Sequence, residues 1–167
     1  MVELLVGFSI ILLTYSILVI RYDYLKYLIT VVLLSRLLVT LINNNFYYIL
    51  DAAQDGLNFY KTMLNPELSG TTELLMSDVY FYSKIFSYLF KFFEPSIFLV
   101  QSFSISLTLI TTVLFYKLIN FYSDNRNISL IITAIFLFFP AYINYSILTM
   151  REVYIIFFII LMTYSFV

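Results

Sequence analysis

Asp51 and Asp55 stand four residues apart in the stretch Asp51-Ala-Ala-Gln-Asp55-Gly-Leu-Asn-Phe-Tyr60. On a helix that spacing sets both carboxylates on one face. The stretch follows directly on an apolar run, where lipid headgroups meet water. A carboxylate placed there acts as a general base toward a sugar hydroxyl, or holds a divalent cation through oxygen. The spacing equally describes two solvated acids opening an amphipathic helix. Arg151-Glu152 is the second candidate, at the head of another apolar run. It reads either as an ordinary interfacial anchor or as a phosphate-binding cation beside an acid that serves a metal or acceptor. Arg36 is the third, in the middle of an apolar run, about nine residues from its start and about six from its end. An ionisable residue at that depth calls for a function and a partner; the alternative is a helix that rides higher, with Arg36 near the interface. Asn127-Ile-Ser and Asn144-Tyr-Ser match glycosylation acceptors, a motif short enough to arise by chance.

Composition narrows the chemistry further. The chain has no Cys and no His, which removes thiolate and imidazole metal sites, disulfides, and nucleophiles that depend on either residue. Acid–base or metal chemistry falls to the ten carboxylates, with Lys, Arg and Tyr in support. A net charge of −1 offers no field for nucleic acid.

The elements that must position these groups are membrane helices. Of the 167 residues 62 % are hydrophobic and only 11 % charged, against about a quarter charged in soluble domains, so lipid is the solvent for most of the chain. The expected architecture is an all-α membrane protein of about five transmembrane helices, a single membrane domain over residues 1–167. Spans are expected at about 4–20, 27–42, 96–116, 128–147 and 153–167, with an outer loop over 43–95. Leu4 to Ile20 carries no basic residue before it and no cleavage site after it, so it reads as a retained helix, of roughly 25 Å. Within the loop, Tyr47 to Leu64 and residues 80–93 read as amphipathic surface helices; Lys84 and Lys91 share one face of the second, with aromatics on the other. Pro95 suits the first turn of the third span, and Pro140 kinks or ends the fourth. Sixteen Tyr and eighteen Phe supply interfacial aromatics in the absence of Trp.

Short-loop cations orient the bundle. The turns holding Arg21 with Lys26, and Lys117 with Arg126, belong in the cytoplasm, which leaves the long loop, the Arg151 turn and the N-terminus outside. The fifth span stops with the chain, without cap or flanking charge, so the expectation is the front portion of a larger protein.

The order of features carries a resemblance. A helix pair precedes a loop with Asp55-Gly-Leu-Asn-Phe-Tyr60, then the aromatic segment Tyr80-Phe-Tyr-Ser-Lys-Ile-Phe-Ser-Tyr-Leu-Phe. Two spans later stands Phe138-Phe-Pro-Ala-Tyr-Ile-Asn-Tyr-Ser-Ile-Leu-Thr-Met-Arg151-Glu152. This resembles the N-terminal part of multi-pass GT-C type glycosyltransferases and the related envelope polysaccharide polymerases. The resemblance implies Asp55 at the catalytic centre, with Asp51 as the alternative. It implies Arg151 and Glu152 as contacts to the lipid-phosphate donor or its metal; Arg36 and Tyr60 stand beside them as candidate substrate contacts, and Asp55 with Glu152 as candidate ligands to Mg²⁺ or Mn²⁺. The implied partners are the lipid bilayer of the cell (plasma or inner) membrane, a polyprenyl-phosphate sugar donor and other envelope-biosynthesis membrane proteins. Two features depart from the family pattern: an additional helix precedes the usual first one, and the many later spans are lacking. A flippase for lipid-linked sugars, or a non-catalytic subunit, are the other classes. The first needs polar residues and broken helices at mid-membrane, and the second a seam of small residues, for which three Gly in the chain give no GxxxG face.

Overall fold

The first helix is apolar around its whole circumference, the mark of a helix solvated by lipid or buried in protein. In the computed structural model, which describes residues 2–46, 53–65 and 81–167 apart from the side chains at 46, 53–55 and 81, it is α1 (Val2–Arg21). Leu5, Leu13 and Ile20 point outward from it, and Gly7, Ile11 and Leu18 point inward. A short 3-10 turn, Asp23–Leu25, reverses the chain into α2 (Lys26–Phe46) and is tied by Lys26 Nζ donating to Asp23 Oδ1 at 3.0 Å. This is the expected hairpin.

Both helices lean on α5 (Ile97–Ser123), the axis of the bundle. Its buried positions include Ser102, Ser104, Ser106, Thr108, Thr111 and Thr112. Small side chains let neighbouring helices approach closely. Their hydroxyls are answered inside the helix: Ser102 Oγ donates to the Leu99 carbonyl at 2.7 Å, Thr108 Oγ1 to Ser104 at 2.9 Å and Thr112 Oγ1 to Thr108 at 2.9 Å. Ser106 is the exception, its hydroxyl buried without a partner among the described residues. The small-residue seam sought in glycine is written here in serine and threonine. The tightest approach is nevertheless at Gly7, where a Cβ would come within 3.0 Å of the Phe98 ring and 3.2 Å of Ser102 Oγ. Gly7→Val is expected to lower stability by about 1–3 kcal/mol through overpacking, checked by thermal unfolding in detergent. Unchanged unfolding would show that α1 and α5 separate freely.

α5 runs a full seven residues beyond the expected end at Tyr116. Nothing between Lys117 and Ser123 breaks a helix, and Leu118 is buried. The stop comes at Asp124, which takes the left-handed conformation (φ 52°) and donates its N–H to the Asn120 carbonyl at 3.1 Å. Asn125 then caps α6 (Arg126–Leu137), its Oδ1 accepting from the N–H groups of Asn127 and Ile128.

Pro140 divides the expected fourth span. α6 ends at Leu137, and α7 (Pro140–Ile147) departs at 63° with proline in its first turn. α8 (Glu152–Ser165) closes the order, packed on α5. The loop helices are α3 (Ala53–Leu64), which ends where expected, and α4 (Phe81–Leu89), which ends four residues before the expected 93; positions 47–52 and 80 lie outside the described residues. Every element among the described residues is helical. Three helices are long and apolar enough to cross a membrane, and the bent pair α6–α7 makes a fourth if it counts as one span.

Candidate functional site

The two segments singled out for chemistry meet at one end of the bundle. α3 docks on α4 through Phe59 and Met63 against Tyr82 and Phe86, and Ser83 Oγ donates to the Phe59 carbonyl at 3.1 Å. The amino-terminal half of α3 rests on the turn between α7 and α8, where Thr149 Oγ1 donates to the carbonyl of Gly56. Gly56 suits that approach: even a Cβ there would stand 3.5 Å from Leu148 and Thr149. Thr149→Val keeps the shape and leaves the Gly56 carbonyl without its donor. It is expected to cost about 1 kcal/mol, read as faster amide exchange along α3; unaltered exchange would show that α3 holds its place without this bond.

Arg151 and Glu152 follow on the same turn. The Arg151 guanidinium carbon lies 6.0 Å from the centre of the Phe59 ring, so α3 and the head of α8 share a cation–π contact. Arg151 Nε and Glu152 Oε1 are 3.7 Å apart, an ion pair longer than a hydrogen bond. Glu152 occupies the first turn of α8, where the helix dipole favours negative charge. Its second oxygen, Oε2, is buried and has no hydrogen-bond partner among the described residues. A buried carboxylate oxygen with an unused acceptor fits a hard cation or a substrate hydroxyl. Among the described residues no three acidic side chains gather around such a cation.

Behind this turn lies an aromatic wall. The Tyr82 ring is 4.9 Å from that of Tyr154 and 5.0 Å from that of Phe86, and Ser104 Oγ lies 3.4 Å from the Tyr154 hydroxyl. Burial holds the Tyr82 phenol well above its ordinary pKa, with nearby Tyr154 and Glu152 adding to the effect. The Tyr82 hydroxyl is buried and has no hydrogen-bond partner among the described residues.

The candidates from sequence are placed as follows. Asp51 lies outside the described residues. Asp55 belongs to α3 and immediately precedes Gly56, so its backbone is carried to the Thr149 turn; its side chain is outside the description. Tyr60 is half-buried, edge-on to Phe90 at 6.2 Å, and burial raises its phenol pKa. Arg151 and Glu152 are together.

Arg36 belongs to a different constellation. It is fully buried among the helices, and its Nη2 donates to the carbonyl of Leu137, the last residue of α6. Its guanidinium carbon lies 6.0 Å from the Phe138 ring and 5.9 Å from the Tyr142 ring. The partner is explained by Pro140: a helix broken inside the bundle exposes carbonyls at its negative end, and a cation caps them. Elsewhere, between the same helix α2 and α5, Asn44 and Gln101 exchange reciprocal amide hydrogen bonds at 3.0 and 3.1 Å.

Thr149, Tyr82 and Tyr154 were not singled out by sequence. Tyr82 fell within the quoted aromatic segment without a role, and only the docking of α4 against α8 gives it one. Comparison of the chain with protein-family models, curated proteins and solved structures finds no match. The helices define the class: this is a multi-pass helical membrane protein, with a loop-helix platform at one end.

Proposed function

We propose that the chain is a membrane glycosyltransferase, or the front portion of one, that takes sugar from a polyprenyl-phosphate donor in envelope polysaccharide or glycoconjugate synthesis at the cell membrane. The observation that carries this reading is the seating of α3, with Asp55, on the Thr149–Glu152 turn, beside a buried Glu152 oxygen without a partner among the described residues. An acid, a cation and a hydroxyl donor then gather where a lipid-linked phosphate meets water. In this reading Asp55 takes the proton of the acceptor hydroxyl, with Asp51 as the alternative base. Arg151 steadies the donor phosphate, and Tyr60 borders the sugar. Asp55 with Glu152 would hold Mg²⁺ or Mn²⁺, which would supply charge neutralisation at the departing phosphate.

Five spans suit the same reading, with α6–α7 as the fourth and α8 as the fifth. α8 has 14 residues, about 21 Å, short for a bilayer. It nevertheless runs from Glu152 at the platform to Tyr164, whose ring lies 5.9 Å from the Lys117 ammonium at the opposite end. The orienting cations gather there too: Lys117 Nζ donates to the Tyr22 hydroxyl at 3.3 Å, and Arg126 Nη2 to the Tyr24 carbonyl at 3.3 Å. That end faces the cytoplasm in this reading, and the platform faces outward.

The test is reconstitution in vesicles with a radiolabelled polyprenyl-phosphate sugar and a panel of glycan acceptors. Transfer of label to an acceptor is the expected result. The helix break at Pro140 with Arg36 beneath it favours a second reading, a flippase for lipid-linked sugars. Movement of the labelled lipid between leaflets, without transfer, would replace the first reading by the second.

A further inference from the structure

Tyr24 in the 3-10 turn and Tyr27, Leu28 and Val31 of α2 line one side, and Arg126, Leu130, Ile131 and Ala134 recur at helical spacing along α6. α2 and α6 both lean on α5. Between their facing stripes runs an open groove of about 550 Å³. Its walls are almost wholly apolar, and the small side chain of Ala134 keeps one of them low. Arg126 stands at the mouth: it is exposed, its Nη2 donates to the Tyr24 carbonyl at 3.3 Å, and its guanidinium carbon lies 5.6 Å from the Tyr24 ring centre. The surrounding end of the bundle is net positive, with Arg21, Lys26, Lys117 and Arg126 against Asp23 and Asp124. Asp23 is already engaged by Lys26.

We infer that this groove is a binding site for an anionic phospholipid of the surrounding leaflet. One acyl chain lies between α2 and α6, and the headgroup phosphate lies on Arg126. Charge complementarity selects this occupant. An apolar trough that opens beneath a cation at headgroup level matches the two ends of a lipid, and the positive field around it favours net negative headgroups over zwitterionic ones. The site lies at the opposite end from the Thr149–Glu152 turn and does not depend on sugar transfer.

The experiment is native mass spectrometry of the protein released from nanodiscs of equal phosphatidylglycerol and phosphatidylcholine, with lipid retention counted. Phosphatidylglycerol is expected to be retained in preference by about fivefold, the discrimination one surface cation supplies. Arg126→Gln is expected to bring the two lipids to parity. Ala134→Phe, which fills the trough, is expected to abolish retention of both; should it fail to fold, Val31→Phe fills the same trough from the exposed face of α2. Equal retention in the unaltered protein, or a preference that survives Arg126→Gln, overturns the inference. So does displacement of the lipid by inorganic phosphate alone, which would mark a simple anion site, or a second protein chain retained in the lipid's place.

Discussion

Glu152→Gln is expected to reduce sugar transfer by about 10²–10⁴-fold while the protein still inserts and folds. Glutamine preserves size, shape and one acceptor oxygen, so the change removes charge and proton affinity and little else. The fold has few claims on the carboxylate. Its partner is Arg151 at 3.7 Å, and its place in the first turn of α8 contributes about 0.3–1 kcal/mol through the helix dipole. Thermal unfolding should therefore move little, and a large shift would mark a structural role instead. If Glu152 holds a divalent ion, a chelator should silence the unaltered protein and Mg²⁺ or Mn²⁺ should restore it, while Glu152→Gln responds to neither. Asp55→Asn is expected to abolish transfer by the same reasoning, with insertion intact. Full transfer by both variants would remove the platform from the chemistry.

The second large effect concerns Arg36. Arg36→Ala is expected to destabilise the protein by about 3 kcal/mol, from a cavity in the bundle plus the orphaned carbonyl of Leu137. The guanidinium reaches across from α2 to the end of α6, between rings of Phe138 and Tyr142, so its removal also loosens the 63° break. Arg36→Met separates the two contributions. It refills most of the volume and leaves the carbonyl unanswered, and no buried cation remains to be desolvated. About 1–2 kcal/mol of loss is expected, measured as unfolding in mixed detergent and SDS. A methionine variant as stable as the parent would show that desolvating the cation offsets the whole of its hydrogen bonding.

The membrane hairpin and the central helix were legible in the sequence because a bilayer imposes a simple demand: a long apolar run with its backbone bonds closed within it. α1 and α2 accordingly begin and end within a few residues of where hydropathy puts them. Boundaries slipped where hydropathy is a poor guide. α5 continues through Lys117 because helices end at a left-handed residue or a breaker, here Asp124, rather than where charge begins. The interhelical seam was hidden because it is made of serine and threonine, most of whose hydroxyls bond to a carbonyl of their own helix.

The sequence by itself determined the class of this protein, the helix break at Pro140 and the acids and cations available for chemistry. Those follow from composition, periodicity and a proline, all of which act locally. Only the tertiary structure decided the partners: Thr149 with Gly56, Arg151 over Phe59, Tyr82 against Tyr154, and Arg36 with the carbonyl that Pro140 sets free. These pairs lie far apart along the chain, and local preference carries no information about them. They exist because packing around α5 brings the helix ends together, and pairing a polar group in an apolar medium recovers part of its desolvation cost.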